Sequence, residues 1–255
     1  MIKFSNANSK ISKLSKVESL KPFLTRGRKI YSFDLISGHS CPFADRCSSK
    51  VVMKDGKRMI VDGDNTEFRC FSASQEALYS NVYKLRKANY ESLRDIKNVD
   101  VMAQMIESAL PKDAGIVRVH VAGDFFNSIY FQAWLKVIIR SPETLFYAYT
   151  KALPIWIMFK SGIDGLNNLV LTASDGGKYD SMIKTHNLRQ AIVAFSESEV
   201  ENQELELDDD DSHAADPAKR DQSFALLLHG TQPKGSEASK ALQAINLTKR
   251  ELILV

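Results

Sequence analysis

Six short runs of almost unbroken apolar character recur along this chain, and amphipathic stretches of helical period separate most of them. The runs cover 29–35, 117–121, 145–150, 169–172, 191–195 and 224–228. They are rich in β-branched and aromatic residues, as parallel strands covered on both faces are. Helical spacing falls at 73–95 and 99–110 before the second run, 128–140 before the third, 153–161 before the fourth, 178–186 before the fifth and 237–246 after the sixth. This rhythm predicts an α/β fold with a parallel sheet of about six strand–helix units joined by right-handed crossovers. Periodicity admits an open doubly wound sheet or a partial (β/α)6 barrel, and the partial barrel is the preferred expectation. In both architectures a ligand sits at the carboxyl ends of the strands, so function belongs to the loops that follow them.

Those loops are rich in small and polar residues. Ser37-Gly38-His39-Ser40-Cys41-Pro42 follows the first strand, and Ala122-Gly123-Asp124-Phe125-Phe126 follows the second. Thr150-Lys151, Ala173-Ser174-Asp175-Gly176-Gly177, Ser196-Glu197 and His229-Gly230-Thr231-Gln232 follow the remaining four. The only three cysteines of the chain, Cys41, Cys47 and Cys70, lie in one early stretch that opens in the first of these loops. Cys41 and Cys47 stand among Ser40, Asp45 and Arg46, where an inert core role does not fit. Three thiolates can hold a metal centre by three corners and leave one coordination position open. A structural zinc would need a fourth ligand, for which His39 is nearest, but no Cys-x2-Cys knuckle is present. The thiol count fits an iron–sulfur cluster better than zinc.

The odd cysteine count argues against a disulfide framework, and the start, Met1-Ile2-Lys3-Phe4, does not resemble a secretion signal. No apolar run approaches the roughly 18 residues of a membrane span, so a cytoplasmic protein without membrane partners is expected. Charge is uneven. Lys10, Lys13, Lys16, Lys21, Arg26, Arg28 and Lys29 make residues 1–28 and their junction a basic N-terminal arm, partly disordered in the plainest reading and able to attract nucleic acid in another. Residues 197–211 hold nine acids and no base, and a disordered acidic surface loop near 197–222 is expected there. Residues 29–255 then form one α/β domain, with a hairpin insertion near 48–68 turning at Asp55-Gly56.

Each polar residue also has a plain structural explanation. Gly123 can serve only the turn into the next helix, with Asp124 or Asn127 as its cap. A lone histidine within a strand, such as His120, is more often a satisfied pocket side chain than a ligand, and two adjacent glycines at 176 and 177 are weak evidence. Trp134 and Trp156 read as core.

Several segments taken together carry a resemblance. Cys41-Pro42-Phe43-Ala44-Asp45-Arg46-Cys47 is followed by Cys70-Phe71-Ser72-Ala73, which opens a helix with Tyr83, Arg86 and Asn89. Val119-His120-Val121-Ala122-Gly123-Asp124-Phe125-Phe126 and Tyr147-Ala148-Tyr149-Thr150-Lys151 complete the pattern. This order resembles the bacteriophage gene product 88 family and, more remotely, the radical S-adenosylmethionine enzymes. The remoter resemblance implies a four-iron (4Fe-4S) cluster on Cys41, Cys47 and Cys70, and S-adenosylmethionine bound near Gly123 and Asp124, with Thr150 and Ser174 as further cofactor-binding candidates. The usual radical-enzyme spacing is Cys-x3-Cys-x2-Cys, whereas the gaps here are five and twenty-two residues. A hairpin in the longer gap would return Cys70 to Cys47.

The leading functional expectation is therefore an iron–sulfur metalloprotein of the radical S-adenosylmethionine type. It would be phage or mobile-element derived and act in the host cytoplasm on nucleic acid or a nucleotide, with a reductant as partner. The alternative is a non-catalytic nucleic-acid-binding protein whose zinc or cluster site is structural. A third reading makes His120, Asp124 and His229 the centre of a metal-dependent hydrolase.

Overall fold

The computed structural model describes residues 1–253. A short β1 (Ser5–Asn6) precedes two 3₁₀ segments, Ile11–Lys16 and Glu18–Gly27, and then β2 (Lys29–Phe33). The hairpin β3 (Ser49–Lys54) and β4 (Lys57–Asp62) leads into α1 (Phe71–Leu78), α2 (Ser80–Leu93) and α3 (Val99–Ala109). Strands and helices then alternate through β5 (Ala114–Val119), α4 (Ser128–Arg140), β6 (Leu145–Thr150), α5 (Leu153–Met158), α6 (Lys160–Ile163) and β7 (Leu169–Ser174). They continue with α7 (Ser181–Thr185), β8 (Gln190–Ala194), α8 (Glu197–Asn202), β9 (Glu206–Leu207), α9 (Ser212–Ala215), β10 (Phe224–Leu227) and α10 (Glu237–Ile253).

Eight strands form one sheet in the order β1-β2-β5-β6-β7-β8-β10-β9, and β3-β4 form a separate pair. Only β1 runs antiparallel to its neighbour in the large sheet; every other pair is parallel. From β2 to β8 the strands lie side by side in chain order, so among the described residues there is no reversal of the kind that defines a doubly wound sheet. Nor does the sheet close into a barrel: its ends, β1 and β9, are not paired with each other. The fold is mixed α/β with a large, mostly parallel sheet.

Both faces are covered, which explains the near-continuous apolar runs. On one face Phe33, Val117, Val119, Phe146 and Leu171 pack with Trp134, Phe131 and Val137 of α4 and Met102 and Ile106 of α3. Both tryptophans are core, as expected. On the other face Ile116, Tyr147, Val170 and Phe224 meet Ile11, Leu14 and Leu20 of the 3₁₀ segments and Ala214 and Ala215 of α9.

Two expectations drawn from charge alone give way here. The N-terminal stretch is not a loose basic arm: Ile11, Leu14 and Leu20 are fully buried, and burial of each is worth about 1.5–3 kcal/mol relative to exposure, enough to hold the segment against the sheet. The acidic stretch, expected as a disordered surface loop, instead forms α8, β9 and α9, with Asp208 and Asp211 buried. The 73–95 helix is also divided, because Tyr79 leaves the helical region (φ −103°, ψ 109°) between α1 and α2. Arg58 of β4 donates to the carbonyls of Ala77 and Leu78 at 3.1 and 3.4 Å, capping the end this break creates. Asp55 (φ 50°) and Gly56 (φ 74°) make the tight hairpin turn, in which both central residues are left-handed.

Candidate functional site

The carboxyl ends of the parallel strands surround a cavity of about 410 Å³. Its wall takes residues from the loop after β2, the segment between β4 and α1, the ends of β5, β6, β7 and β10, and the N-terminal residues Asn8, Ser9 and Lys10. All of the cysteines and all four cofactor-binding candidates named from sequence border it: Cys41, Cys47 and Cys70 with Gly123, Asp124, Thr150 and Ser174. The hairpin β3-β4 spans the long gap between the second and third cysteines and returns the chain so that Cys47 and Cys70 feel each other's charge.

The three thiols are free and half-buried. Burial, followed by the nearby Asp124, Cys70 and Cys47, pushes the Cys41 thiol well above its usual range. Burial and then Cys47 push Cys70 up to about 11, although the amides of Ser72 and Ala73 at the start of α1 partly favour its thiolate. A cation in the cavity would remove the mutual repulsion of these sulfurs and release their protons. No three His, Cys, Asp or Glu side chains among the described residues are arranged so that they could hold a metal ion. The sulfurs instead share the wall of a larger space.

The loop that carries Cys41 is anchored from below by buried polar contacts. Glu76 of α1, fully buried, accepts from the amide and hydroxyl of Ser37 at 3.0 and 2.7 Å and from Arg86 of α2 at 3.2 Å. Asn89 donates to the carbonyl of Asp34 at 2.9 Å, while the Asp34 carboxylate accepts from the amide of Val121 at 2.7 Å. Arg86 and Asn89 therefore support the cysteine loop from outside the cavity. Gly123 has a packing role in the same place: at φ +89° a Cβ would lie 2.6 Å from the Cβ of Leu35 and 2.7 Å from Oγ of Ser40. Its lack of a side chain lets the loop after β5 close against the cysteine loop.

Asp124 ties the next two strand ends together. Its carboxylate accepts from the hydroxyl of Thr150 at 2.6 Å, the amide of Lys151 at 2.8 Å and its own neighbour, the amide of Phe125, at 2.7 Å. Burial raises its pKa, and those donors only partly oppose the shift. Lys151 in turn donates to the hydroxyl of Ser174 at 2.6 Å and to the carbonyls of Ser174 and Asp175. One chain of hydrogen bonds thus locks the ends of β5, β6 and β7 around the cavity.

His120 occupies the left-handed region (φ 73°) at the end of β5, a backbone strain that a branch-free glycine would avoid and that clusters at functional sites. Its Nε2 lies 2.9 Å from the hydroxyl of Tyr130, and its Nδ1 is buried without a partner. Burial, then the adjacent Arg118, lowers its pKa to about 3, so the ring is neutral. His229, also on the cavity wall, is shifted down by burial. The hydrolase arrangement is not supported by these contacts, since His120 Nε2 is engaged by the Tyr130 hydroxyl.

A second cluster, not found by sequence reasoning, forms the far wall. Asp211 is fully buried and pairs with Arg118, with Lys10 at 2.9 Å and with the hydroxyls of Tyr147 and Tyr149 at 3.0 and 3.4 Å. The Arg118 guanidinium also lies 4.9 Å from the Tyr149 ring centroid. Burial alone would raise the Asp211 pKa, but Arg118 and Lys10 outweigh it and hold the carboxylate below its usual range. The signal was present in Val117-Arg118-Val119: an arginine within a strand covered on both faces requires a buried counter-ion.

The family described as Gene product 88 matches residues 2–246. The chain is 28% identical over 142 residues to a Gene 88 protein of Mycobacterium phage L5, covering 52% of this chain and 51% of the relative. It is 29% identical over 122 residues to a Gene 88 protein of Mycobacterium phage D29, covering 45% and 43% respectively. The matched region thus spans about half the length of these curated relatives. No solved structure matches the chain. No helix of the described residues is long and apolar enough to cross a membrane.

Proposed function

The chain belongs to the gene product 88 family, and from that premise we propose that its cavity is the cofactor site of an iron–sulfur metalloprotein of the radical S-adenosylmethionine type. The observation that carries the reading is the meeting of Cys41, Cys47 and Cys70 with Gly123, Asp124, Thr150 and Ser174 on one cavity wall at the carboxyl ends of consecutive parallel strands. The chain-order strand sequence supports a partial (β/α)6 barrel, which arranges such loops around one space. The thiol count also supports a four-iron cluster: three cysteines border the same cavity, and there is no fourth in the chain.

Cys41, Cys47 and Cys70 would hold the cluster, whose chemistry when bound is one-electron reduction of the sulfonium of S-adenosylmethionine. Asp124, already fixed by Thr150 and Lys151, would present its remaining acceptor capacity to the cofactor amine. Gly123 keeps the two loops in contact so that thiols and carboxylate face the same space. Lys10, Arg118, His120 and His229 line other parts of the wall and would meet the substrate. A nucleotide or nucleic acid is the substrate class we propose, supported by Lys10 of the basic N-terminal segment reaching this wall. An external reductant would supply the electron, and the host cytoplasm would be the setting.

Reduction of the reconstituted protein with S-adenosylmethionine should release 5′-deoxyadenosine, and Asp124→Ala should weaken cofactor binding with the cluster retained. A reduced, cluster-loaded protein that leaves S-adenosylmethionine intact would remove the catalytic reading and leave the non-catalytic alternative, a nucleic-acid-binding protein with a structural zinc or cluster site.

A further inference from the structure

The β3-β4 hairpin stands outside the main sheet, and its two faces differ. Along β4 burial alternates strictly: Arg58, Ile60 and Asp62 are half-buried, and Lys57, Met59 and Val61 are exposed. The inward face packs on α1, where Val51 is fully buried and Arg58 reaches the carbonyls that end the helix. The pairs Lys50↔Val61, Val52↔Met59 and Lys54↔Lys57 fix what the outward face carries: an apolar centre with lysines at both ends and no carboxylate. None of these three lysines forms an ion pair among the described residues. The nearest strand acid, Asp62, faces the other way and pairs with Arg69.

We propose that the outward face of this hairpin is a docking surface for duplex DNA, with the ribbon laid in the major groove. The dimensions agree. Two strands about 4.8 Å apart fit the major groove, which is about 12 Å wide and admits a two-stranded ribbon, and Lys50 and Lys54 stand about 13 Å apart along it. The lysines then meet phosphates along the groove, while the exposed Met59 and Val61 face base edges, where apolar side chains contact thymine methyl groups. An exposed apolar strip between unpaired cations suits this partner. An acidic protein or an anionic lipid surface would use the charges without needing a two-stranded ribbon of groove width. The hairpin joins Cys47 to Cys70, so DNA held there lies beside the cavity. The docking surface does not depend on the cofactor reading, because the lysines would bind DNA in a chain that carried no cluster.

The test is fluorescence anisotropy of the full chain with a labelled duplex, titrated in salt, compared with the Lys50→Gln/Lys54→Gln/Lys57→Gln triple variant. Each lost phosphate contact lowers the slope of log K against log salt by about 0.9, so the triple variant should lose about 2–3 units of slope and at least tenfold in affinity. Lys→Arg at the same three positions should restore binding, which separates charge from any effect on folding. Duplex affinity and slope unchanged in the Gln variant, no duplex binding by the wild-type chain at low salt, or lysine-dependent binding only to anionic vesicles would each overturn the proposal.

Discussion

Replacing Asp211 by asparagine is the most revealing single test of how this fold is held together. The substitution keeps the shape and removes the charge that answers Arg118 and Lys10. Arg118 retains 10% of its side-chain surface and Asp211 none, so the Arg118 charge would be left buried and uncompensated. Breaking a buried pair from one side destabilises by about 3–5 kcal/mol. The Lys10 arm adds little, since its side chain is 35% exposed and solvent screens it. In a chain of this size each kcal/mol moves the melting temperature by roughly 2–4 °C, so the loss should be on the order of 10 °C. Replacing both partners with apolar residues, Arg118→Met with Asp211→Leu, should recover most of it, because the desolvation of both charges is then avoided. Urea denaturation of Arg118→Met, Asp211→Leu and the double variant gives the coupling directly. A loss below about 1 kcal/mol in Asp211→Asn, or additive losses in the double variant, would refute the account of the acidic segment as a buried counter-ion for the sheet. The sign with pH follows from the same pair. Asp211 has its folded pKa depressed, so its contribution is present above the ordinary carboxylate range and is lost as pH falls through the folded value.

Two further predictions concern groups at the cavity. His120 titrates at about 3 when folded against about 6.5 when unfolded, so its contribution is complete above pH 6.5 and declines as pH falls towards 3; His120→Phe should remove about one proton's worth of slope, roughly 1.4 kcal/mol per pH unit, between pH 6 and 5, and an unchanged slope would contradict the buried neutral imidazole. Cys70, raised to about 11, should react with iodoacetamide at pH 8 roughly 100-fold more slowly than an unperturbed thiol, and alkylation at the ordinary rate would show that the sulfur is not desolvated as described.

Much of the scaffold was legible because its signals are local. The strand runs at 145–150 and 224–228, the helix at 128–140 and the Asp55-Gly56 turn depend on periodicity and on residues that tolerate left-handed backbone. The cavity residues followed from the rule that strand ends carry function. What escaped depends on partners distant in sequence. Tyr79 breaks a helix that contains neither glycine nor proline, and the carbonyls it frees are taken by Arg58 from the hairpin. The aspartates at 208–211 look self-repelling by composition, yet Arg118, 93 residues from Asp211, neutralises the more deeply buried of the two that leave solvent, Asp208 and Asp211. Among the lysines of residues 10–16, Ile11 and Leu14 are spaced by three and form a buried face too short for periodicity to reveal. From sequence Asp124 stands as a partner for an amine, whereas in the fold its carboxylate holds Thr150 and Lys151 in place.

The central claim is that three thiols on one cavity wall hold an iron–sulfur cluster, and iron and sulfide content after anaerobic reconstitution tests it most directly. The account predicts a brown protein with about four irons and four sulfides per chain. Both should be lost in Cys41→Ala, Cys47→Ala and Cys70→Ala alike, each variant keeping the wild-type circular dichroism. A colourless protein carrying a single zinc, or a cluster that survives Cys70→Ala, would contradict it.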